Sequence, residues 1–595
     1  MSVVRKITSG MERRYWTYTF LSPLFMFGEV IMETTIPLVM AKIVDVGIKN
    51  KDSDFVIRFG LLMVLMASFS LFCGAMCGRI SSLAAFGFSK NLRKKLFARV
   101  QDFSFSNMDH FGTDSLVTRL TTDVTNLQNM YQNCIRTAVR SPIMLIFGTI
   151  MACQINARLA LIFFIVIPLL ATVLISIVHI VYPRFRQMLK KYDNLNRVVQ
   201  ENLIAIRVVK AFVRGDHENA KFDEIAEDLQ RTQVGAEKIV ILNMPIMHLM
   251  VYGCIVSALW FGGNMVISGK MQTGGLISFI SYITQILMSL MMLSRLFVMF
   301  ILSRTSLSRV MEVLDEEIEI HNAECKMQNE ERCLSPLQSG RQVLEARGKS
   351  LNDIEFSHVY FSYDKKMEHS VLSDINLSIP QGSTVGILGG TGSSKSTLVQ
   401  LIPRLYEVTE GSVKVGGKDV RQWNLTDLRK KIGFVLQKNT LFSGTIAENL
   451  RWGNENASDE DLIAACKASD AHGFVTSFPD GYDTDLSQGG VNLSGGQKQR
   501  LCIARALIKK PDILVLDDST SAVDTATDLR IRNALRSSLP ATTKLIIAQR
   551  IASVQDADFI IVLDSGKING IGSHDELMKS NQIYREVYES QMSEN

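Results

Sequence analysis

None of the nine cysteines is paired in a CxxC spacing. Cys73 and Cys77 share one face of an apolar stretch, while Cys466 and Cys502 lie in a polar region, so neither a disulfide framework nor a zinc site is indicated. Charged residues make up only 21% of the chain, and its net charge of +5 comes without a patch that interleaves basic and aromatic residues. A nucleic-acid partner is therefore not expected. The start, MSVVRKITSGMERRYW, has no short apolar core with a small-residue cleavage site. No signal peptide is expected, and the first apolar span would serve as the insertion signal. Internal repeats are also missing.

Long apolar runs are present, and they are confined to one half. A mean hydropathy of +0.14 hides that division. Stretches 59–78, 141–157, 159–183, 239–269 and 271–294 contain no Asp, Glu, Lys or Arg, and 15–41 is apolar except for Glu29 and Glu33. Each approaches or exceeds the ~20 residues that cross a bilayer as a helix. Six spans are expected, near 15–41, 57–79, 138–157, 159–183, 239–267 and 274–303, within a membrane domain covering 1–311. Basic residues flank alternate ends: Arg5, Lys6, Arg13 and Arg14; Lys90 through Arg99; Arg184 through Lys191; Arg304 and Arg309. Both termini and two long helical excursions, 79–139 and 184–238, are thereby assigned to the cytoplasm. Residues 312–350 are polar and lack an apolar period, as a linker would be, and 351–595 has the composition of a soluble α/β domain.

In that domain, VGILGGTGSSKSTLVQLI (385–402) is patterned as strand, glycine-rich turn and helix. Gly389, Gly390, Thr391, Gly392, Ser393 and Ser394 would present backbone N–H groups to phosphates. Lys395 would reach the outer phosphates, Ser396 would hold Mg²⁺, and Thr397 continues the helix. Ser394 stands where GxxxxGK[ST] has its last glycine, a position of close approach or special φ. Downstream, ILVLDDSTSAVD (513–524) is a strand ending in the paired acids Asp517 and Asp518, suited to a metal and a reacting phosphate.

With these motifs the chain resembles the ATP-binding cassette (ABC) exporters, in particular multidrug-type half-transporters, and among them the degenerate-site subunit of heterodimeric bacterial pumps. The resemblance implies a six-span α-helical membrane domain of exporter type, with long cytoplasmic helix extensions, fused to an α/β P-loop nucleotide-binding domain. It implies ATP and Mg²⁺ as ligands, a second half-transporter and the lipid bilayer as partners, and the plasma membrane as location. In FSY (361–363), Tyr363 looks like the aromatic that stacks on adenine. Gln437, in FVLQKNTLFSGTIAENL (434–450), looks like the glutamine that touches Mg²⁺. NLSGGQKQRLCIARAL (492–507) resembles the family signature, whose Leu493, Ser494, Gly495, Gly496 and Gln497 would face ATP bound to the opposite chain. SAVD (521–524), with Asp524, resembles the D-loop, and IIAQR (546–550) occupies the switch position. GTDSLVTRLTTDV (112–124) and NLIAIRVVKAFVRGDHE (202–218) look like the segments coupling the two domains.

Against that family pattern, three residues of one composite site depart together. Asp518 replaces a glutamate that positions the attacking water, retracting the carboxylate by roughly 1.5 Å, one C–C bond. A misplacement of about 1 Å costs on the order of 100-fold in rate. Gln549 replaces a histidine and never becomes a cation. Ser394 alters the phosphate loop, whereas the signature is intact. The expectation is an asymmetric heterodimer whose hydrolysis occurs mainly with the partner's catalytic residues. Gln488, where the family often has glutamate, has no physical explanation. The alternatives are a homodimeric lipid or peptide exporter and an ATP-gated, non-transporting regulator.

For cargo, the resemblance implies hydrophobic small molecules. Glu29 and Glu33 are four residues apart in the first span, placed either to meet a cationic cargo or to hydrogen-bond within the bundle. Arg295 and His179 raise the same question, and the methionine-rich MSLMMLSRLFVMF (288–300) suits either an adaptable cargo surface or ordinary packing.

Overall fold

The computed structural model describes residues 3–320, 352–519 and 523–593. The chain divides into two compact units, Met1–Gln101 with Thr113–Glu316, and Asp102–Gly112 with Glu317–Asn595. Most of the 312–350 stretch expected as a linker, and Ser521 and Ala522 of SAVD, lie outside the described residues. The described part of that stretch begins as helix, which continues to Asp315.

Among the described residues the first unit contains six helices long and apolar enough to cross a membrane. They are α1 (Arg13–Ile48), α2 (Ser53–Gln101), α4 (Thr113–Ile155), α5 (Ala157–Ile204), α6 (Gly215–Ile267) and α7 (Thr273–Asp315). Between α2 and α4 lies the short α3 (Phe105–Phe111), which belongs to the second unit. The expected excursions 79–139 and 184–238 are formed largely by the extensions of α2, α4, α5 and α6 beyond the charge-free runs. One residue turns α4 into α5: Asn156 leaves the helical region (φ −159°, ψ 108°) and its side chain caps α5, accepting from Arg158 N at 3.0 Å and Leu159 N at 3.2 Å. Close packing joins α1 and α2, where a Cβ on Gly87 would lie 2.2 Å from the Tyr15 ring. An apolar core of Phe163, Phe279, Tyr282, Ile283 and Ile286 joins α5 and α7, and the Tyr282 hydroxyl donates to the Thr34 carbonyl of α1 at 2.5 Å. Toward their extended ends α4 and α7 are tied by Arg309–Asp123 (3.0 Å) and Arg119–Glu312 (2.9 Å).

The second unit is built on two larger sheets. β1 (Asn352–Phe361), β2 (Leu372–Pro380), β4 (Glu410–Val415) and β5 (Lys418–Asp419) form an antiparallel sheet ordered β2-β1-β4-β5. β3 (Thr384–Gly389), β6 (Ile432–Val435), β9 (Ile513–Asp517), β10 (Thr543–Ile547), β11 (Phe559–Asp564) and β12 (Lys567–Gly572) form the other, ordered β12-β11-β3-β10-β9-β6. A short pair, β7 (Gly444–Thr445) and β8 (Asp485–Leu486), stands apart. β3, β6, β9, β10 and β11 run parallel and only β12 is antiparallel. All five residues of β9 and of β10 are buried, which explains their near-continuous apolar composition. The parallel arrangement brings the C-terminal ends of β3, β9 and β10 to one edge: Ile547 is in register with Ile387 on one side and Asp517 on the other. Ligands bind characteristically at such an edge.

Candidate active site

The loop after β3 leads into α8 (Lys395–Gln400), and the acids close β9 beside it. The Ser396 hydroxyl donates to Asp517 Oδ1 at 2.8 Å. Lys395 Nζ folds back onto the loop, donating to the carbonyls of Gly389 and Gly390, each at 2.8 Å, and to Ser393 Oγ at 3.2 Å. A Cβ built on Gly390 or Gly392 meets nothing within 4 Å, so the loop backbone faces open space. That space belongs to a cavity of about 580 Å³ lined by the phosphate loop together with Gln437, Asp517, Asp518 and Gln549. No residue of 493–497 is among those lining it.

Two of the three sequence departures share a backbone feature. Ser394 has φ 70°, the left-handed conformation that the missing glycine would adopt freely. Asp518 is also left-handed, with φ 48°. Aspartate is among the few non-glycine residues enriched in that region, because its short polar side chain bonds locally. Gln549 Nε2 donates to Asp518 Oδ2 at 2.9 Å, and Gln437 hydrogen-bonds the same carboxylate. The short acid is thus held between two amides. Burial pushes the carboxyls of Asp517 and Asp518 above the usual range, partly offset for Asp517 by Ser396 and for Asp518 by Gln437. Burial depresses Lys395, opposed by the two acids.

Tyr363 is half exposed, and its hydroxyl lies 2.9 Å from Thr397 Oγ1. Its ring meets Tyr406 edge-on at 5.3 Å. The Tyr406 hydroxyl donates to Asp109 of α3 at 2.7 Å, and its ring lies 6.0 Å from Phe105. Asp102–Gly112 belongs to the nucleotide-site unit, and the expected coupling stretch 112–124 begins at its last residue and continues as the start of α4. Sequence reasoning missed Tyr406 and Asp109; a lone tyrosine far along the chain carries no spacing signal. It also missed Gln591 of α11 (Gln582–Ser593), whose side chain accepts from Ile551 N and donates to Gln549 O, both at 2.8 Å, holding the switch loop.

The signature begins α9 (Gly495–Ile508). Leu493 is buried, whereas Ser494 and Gly495 are exposed. Ser494 and Gln497 form a complete capping box, Ser494 N donating to Gln497 Oε1 at 2.9 Å and Gln497 N to Ser494 Oγ at 3.3 Å. Gly496 follows in the first turn. Asp524 caps α10 (Thr525–Ser538), accepting from Thr527 N at 2.9 Å.

In the membrane unit, Glu29 and Glu33 meet Arg140 of α4. Arg140 donates to Glu29 Oε1 at 3.0 Å and to Glu33 Oε2 at 2.7 Å, the internal one of the two expected arrangements. Arg140 was not foreseen, because nothing local links it to residues more than 100 positions away. Arg295 and His179 are exposed. His179 borders an apolar groove of about 410 Å³ with Ile175, Leu290, Leu293, Phe297 and Ile301.

Two family descriptions match the chain: ABC transporter transmembrane region over residues 19–290, and ABC transporter over 372–521. An ABC transporter ATP-binding protein of Bacillus subtilis (strain 168), YfiB, is 39% identical over 568 residues, covering 96% of this chain and 95% of its own. An ATP-dependent lipid A-core flippase of Desulfotalea psychrophila is 31% identical, with 84% of each chain covered. Among solved structures, a bacterial Atm1-family ABC exporter with ATP bound matches with a TM-score of 0.81 at 23% identity, over 98% of this chain and 99% of that one.

Proposed function

The chain belongs to the ABC transporter family, with a six-helix membrane region of exporter fold fused to an ATP-binding domain, and from that premise we propose that it is one half of an ATP-driven exporter of hydrophobic or amphipathic compounds. Its partner is a second, non-identical half-transporter. Both termini face the cytoplasm of a bacterial cell, and the spans lie in the plasma membrane, consistent with the basic residues flanking alternate apolar runs. The apolar groove beside His179 supports a hydrophobic cargo.

One observation supports the asymmetry. The three departures, Ser394, Asp518 and Gln549, all border the cavity around this chain's own phosphate loop, while the signature keeps the family's residues on a capped helix that exposes Ser494 and Gly495. The residues fit ATP with Mg²⁺. Gly390 and Gly392 leave room for phosphates, and Ser396 and Asp517 converge with Gln437 nearby as the oxygen donors that Mg²⁺ prefers. The metal would neutralise charge on the outer phosphates. Lys395 would exchange its loop carbonyls for phosphate oxygens, and Tyr363 would offer its ring to adenine. Asp518, a methylene short and tethered by Gln549 and Gln437, is a poor orienter of water. This site binds ATP and turns it over slowly, and hydrolysis proceeds at the site that Ser494, Gly495, Gly496 and Gln497 complete on the partner.

The test is Mg²⁺-dependent ATPase activity of the purified pair against each chain alone. Activity only in the pair, lost with the partner's catalytic glutamate and largely retained in Asp518→Ala, is the expected result. Robust turnover by this chain alone, abolished in Asp518→Ala, would replace the heterodimer by a homodimer. Kinship with a lipid A-core flippase favours a lipid as cargo in that second reading.

A further inference from the structure

A polar cavity of about 300 Å³ opens in the membrane unit, lined by Gln132, Asn133, Arg136, Thr137 and Arg140 of α4 and by Met292 of α7. The five α4 residues recur at the spacing of a single helical face. Asn133 Nδ2 donates to Met299 Sδ at 3.4 Å, so Met292 and Met299 turn the same face of α7 toward this strip. Arg295 lies between them, three residues after one and four before the other, and is therefore on that face. It is exposed, as is Arg136.

The charges are unequally satisfied. Arg140 is occupied by Glu29 and Glu33. Among the described residues neither Arg136 nor Arg295 has an ion-pair partner. Arg140 with its two glutamates carries one net negative charge and Arg136 and Arg295 one positive charge each, so the five groups together are positive by one. Arg295 falls within the expected span 274–303, where an unpaired arginine is costly and marks a ligand path by default, and Arg136 lies just before the expected span 138–157. A guanidinium fork matches phosphate or carboxylate oxygens, which accept two parallel hydrogen bonds from it.

We propose that this cavity takes the anionic head of an amphipathic molecule, a phosphate or carboxylate on an apolar tail. Arg136 and Arg295 are its direct ligands, and Arg140, fixed by Glu29 and Glu33, is the positioning residue behind them. The assignment rests on the exporter reading only in naming that molecule as cargo. It reverses the charge preference that Glu29 and Glu33 suggest by themselves, because their charge is directed at Arg140.

The experiment measures binding of oleoyl lysophosphatidic acid, oleoyl lysophosphatidylcholine, oleylamine and inorganic phosphate to the full-length chain, with its partner, in a neutral maltoside detergent. Lysophosphatidic acid is expected to bind about 10-fold or more tighter than oleylamine, the scale of one charge-assisted contact. Arg136→Gln with Arg295→Gln should erase that preference while leaving lysophosphatidylcholine binding within about 2-fold. Lysine at both positions should retain part of the preference, which separates lost charge from a lost fold. Glu33→Gln should tighten anion binding about 3-fold by releasing Arg140. Oleylamine binding as tightly as the phosphate lipid, or an unchanged preference in the double glutamine variant, would overturn the proposal. Inorganic phosphate binding as tightly as lysophosphatidic acid would overturn its amphipathic part. ATP-driven movement of fluorescent lysophosphatidic acid in vesicles tests the exporter reading separately. Anion preference without movement removes the exporter and leaves the subsite. Movement of a neutral dye with no anion preference does the reverse.

Discussion

Glu29 and Glu33, one helical turn apart in the membrane unit, and Asp517 and Asp518, adjacent at the end of β9, are both pairs of carboxylates in largely dehydrated surroundings, but they are completed differently. The glutamates receive a full cation, Arg140, at 3.0 and 2.7 Å. The aspartates are met by neutral donors: Ser396 on Asp517, and Gln549 and Gln437 on Asp518. Lys395 is near enough to interact with both acids, yet it spends its hydrogen bonds on loop oxygens. An acid pair bridged from within by one arginine is a structural joint between helices. A pair left with neutral donors retains charge for a cation that arrives with a ligand. The same reasoning assigns Arg136 and Arg295 to an incoming anion.

The contrast breaks most visibly at Arg140. Arg140→Gln should destabilise the membrane unit by about 3 kcal/mol, toward the lower end for a buried pair because the guanidinium is partly exposed. Adding Glu29→Gln and Glu33→Gln should recover most of the loss, as read by thermal unfolding in detergent. The same removal of charge at the aspartates should leave the fold standing.

Next in size is restoring the family's residues at this chain's own phosphate-loop site. Asp518→Glu with Gln549→His should raise turnover at this chain's own site by up to about 100-fold, the scale of a 1 Å positioning error. It would be measured in a pair whose partner glutamate is replaced. The gain should fall short of that ceiling because φ 48° suits aspartate better than glutamate. Ser394→Gly should stabilise the nucleotide domain by about 1 kcal/mol, relieving a left-handed serine.

The smallest effect concerns pH. Burial raises the Asp517 carboxyl, so the folded domain binds its proton more readily than the unfolded chain. Stability is therefore lost as pH rises from the ordinary carboxylate range through the raised folded value. Without Mg²⁺ and nucleotide, Asp517→Asn should unfold at a higher temperature than the parent at neutral pH and converge with it in acid. Mg-ATP should reverse the order.

Much of this was legible in one dimension. Six spans follow from five charge-free runs and one broken only by Glu29 and Glu33, because a bilayer tolerates few unpaired charges along a helix. The phosphate loop, the acids and the signature are short segments whose function depends on local backbone shape, so their spacing in sequence is their geometry. Ser394 could even be marked as a residue in a glycine's place, and its φ of 70° supplies the reason. By contrast, Arg140 is 111 residues from Glu29, and Tyr406 is 297 from Asp109. Long-range pairs leave no periodic trace.

The sequence by itself determined the architecture and the ligand class of the nucleotide site, because hydrophobic length and backbone-cradled phosphate chemistry are local properties. Only the tertiary structure decided which charges are satisfied from within. It closed Glu29 and Glu33 onto Arg140, tethered Asp518 between two amides, and left Arg136 lining a cavity with no ion-pair partner among the described residues. Electrostatic pairing depends on separations of a few ångströms, and only the folded chain brings residues so far apart in sequence that close.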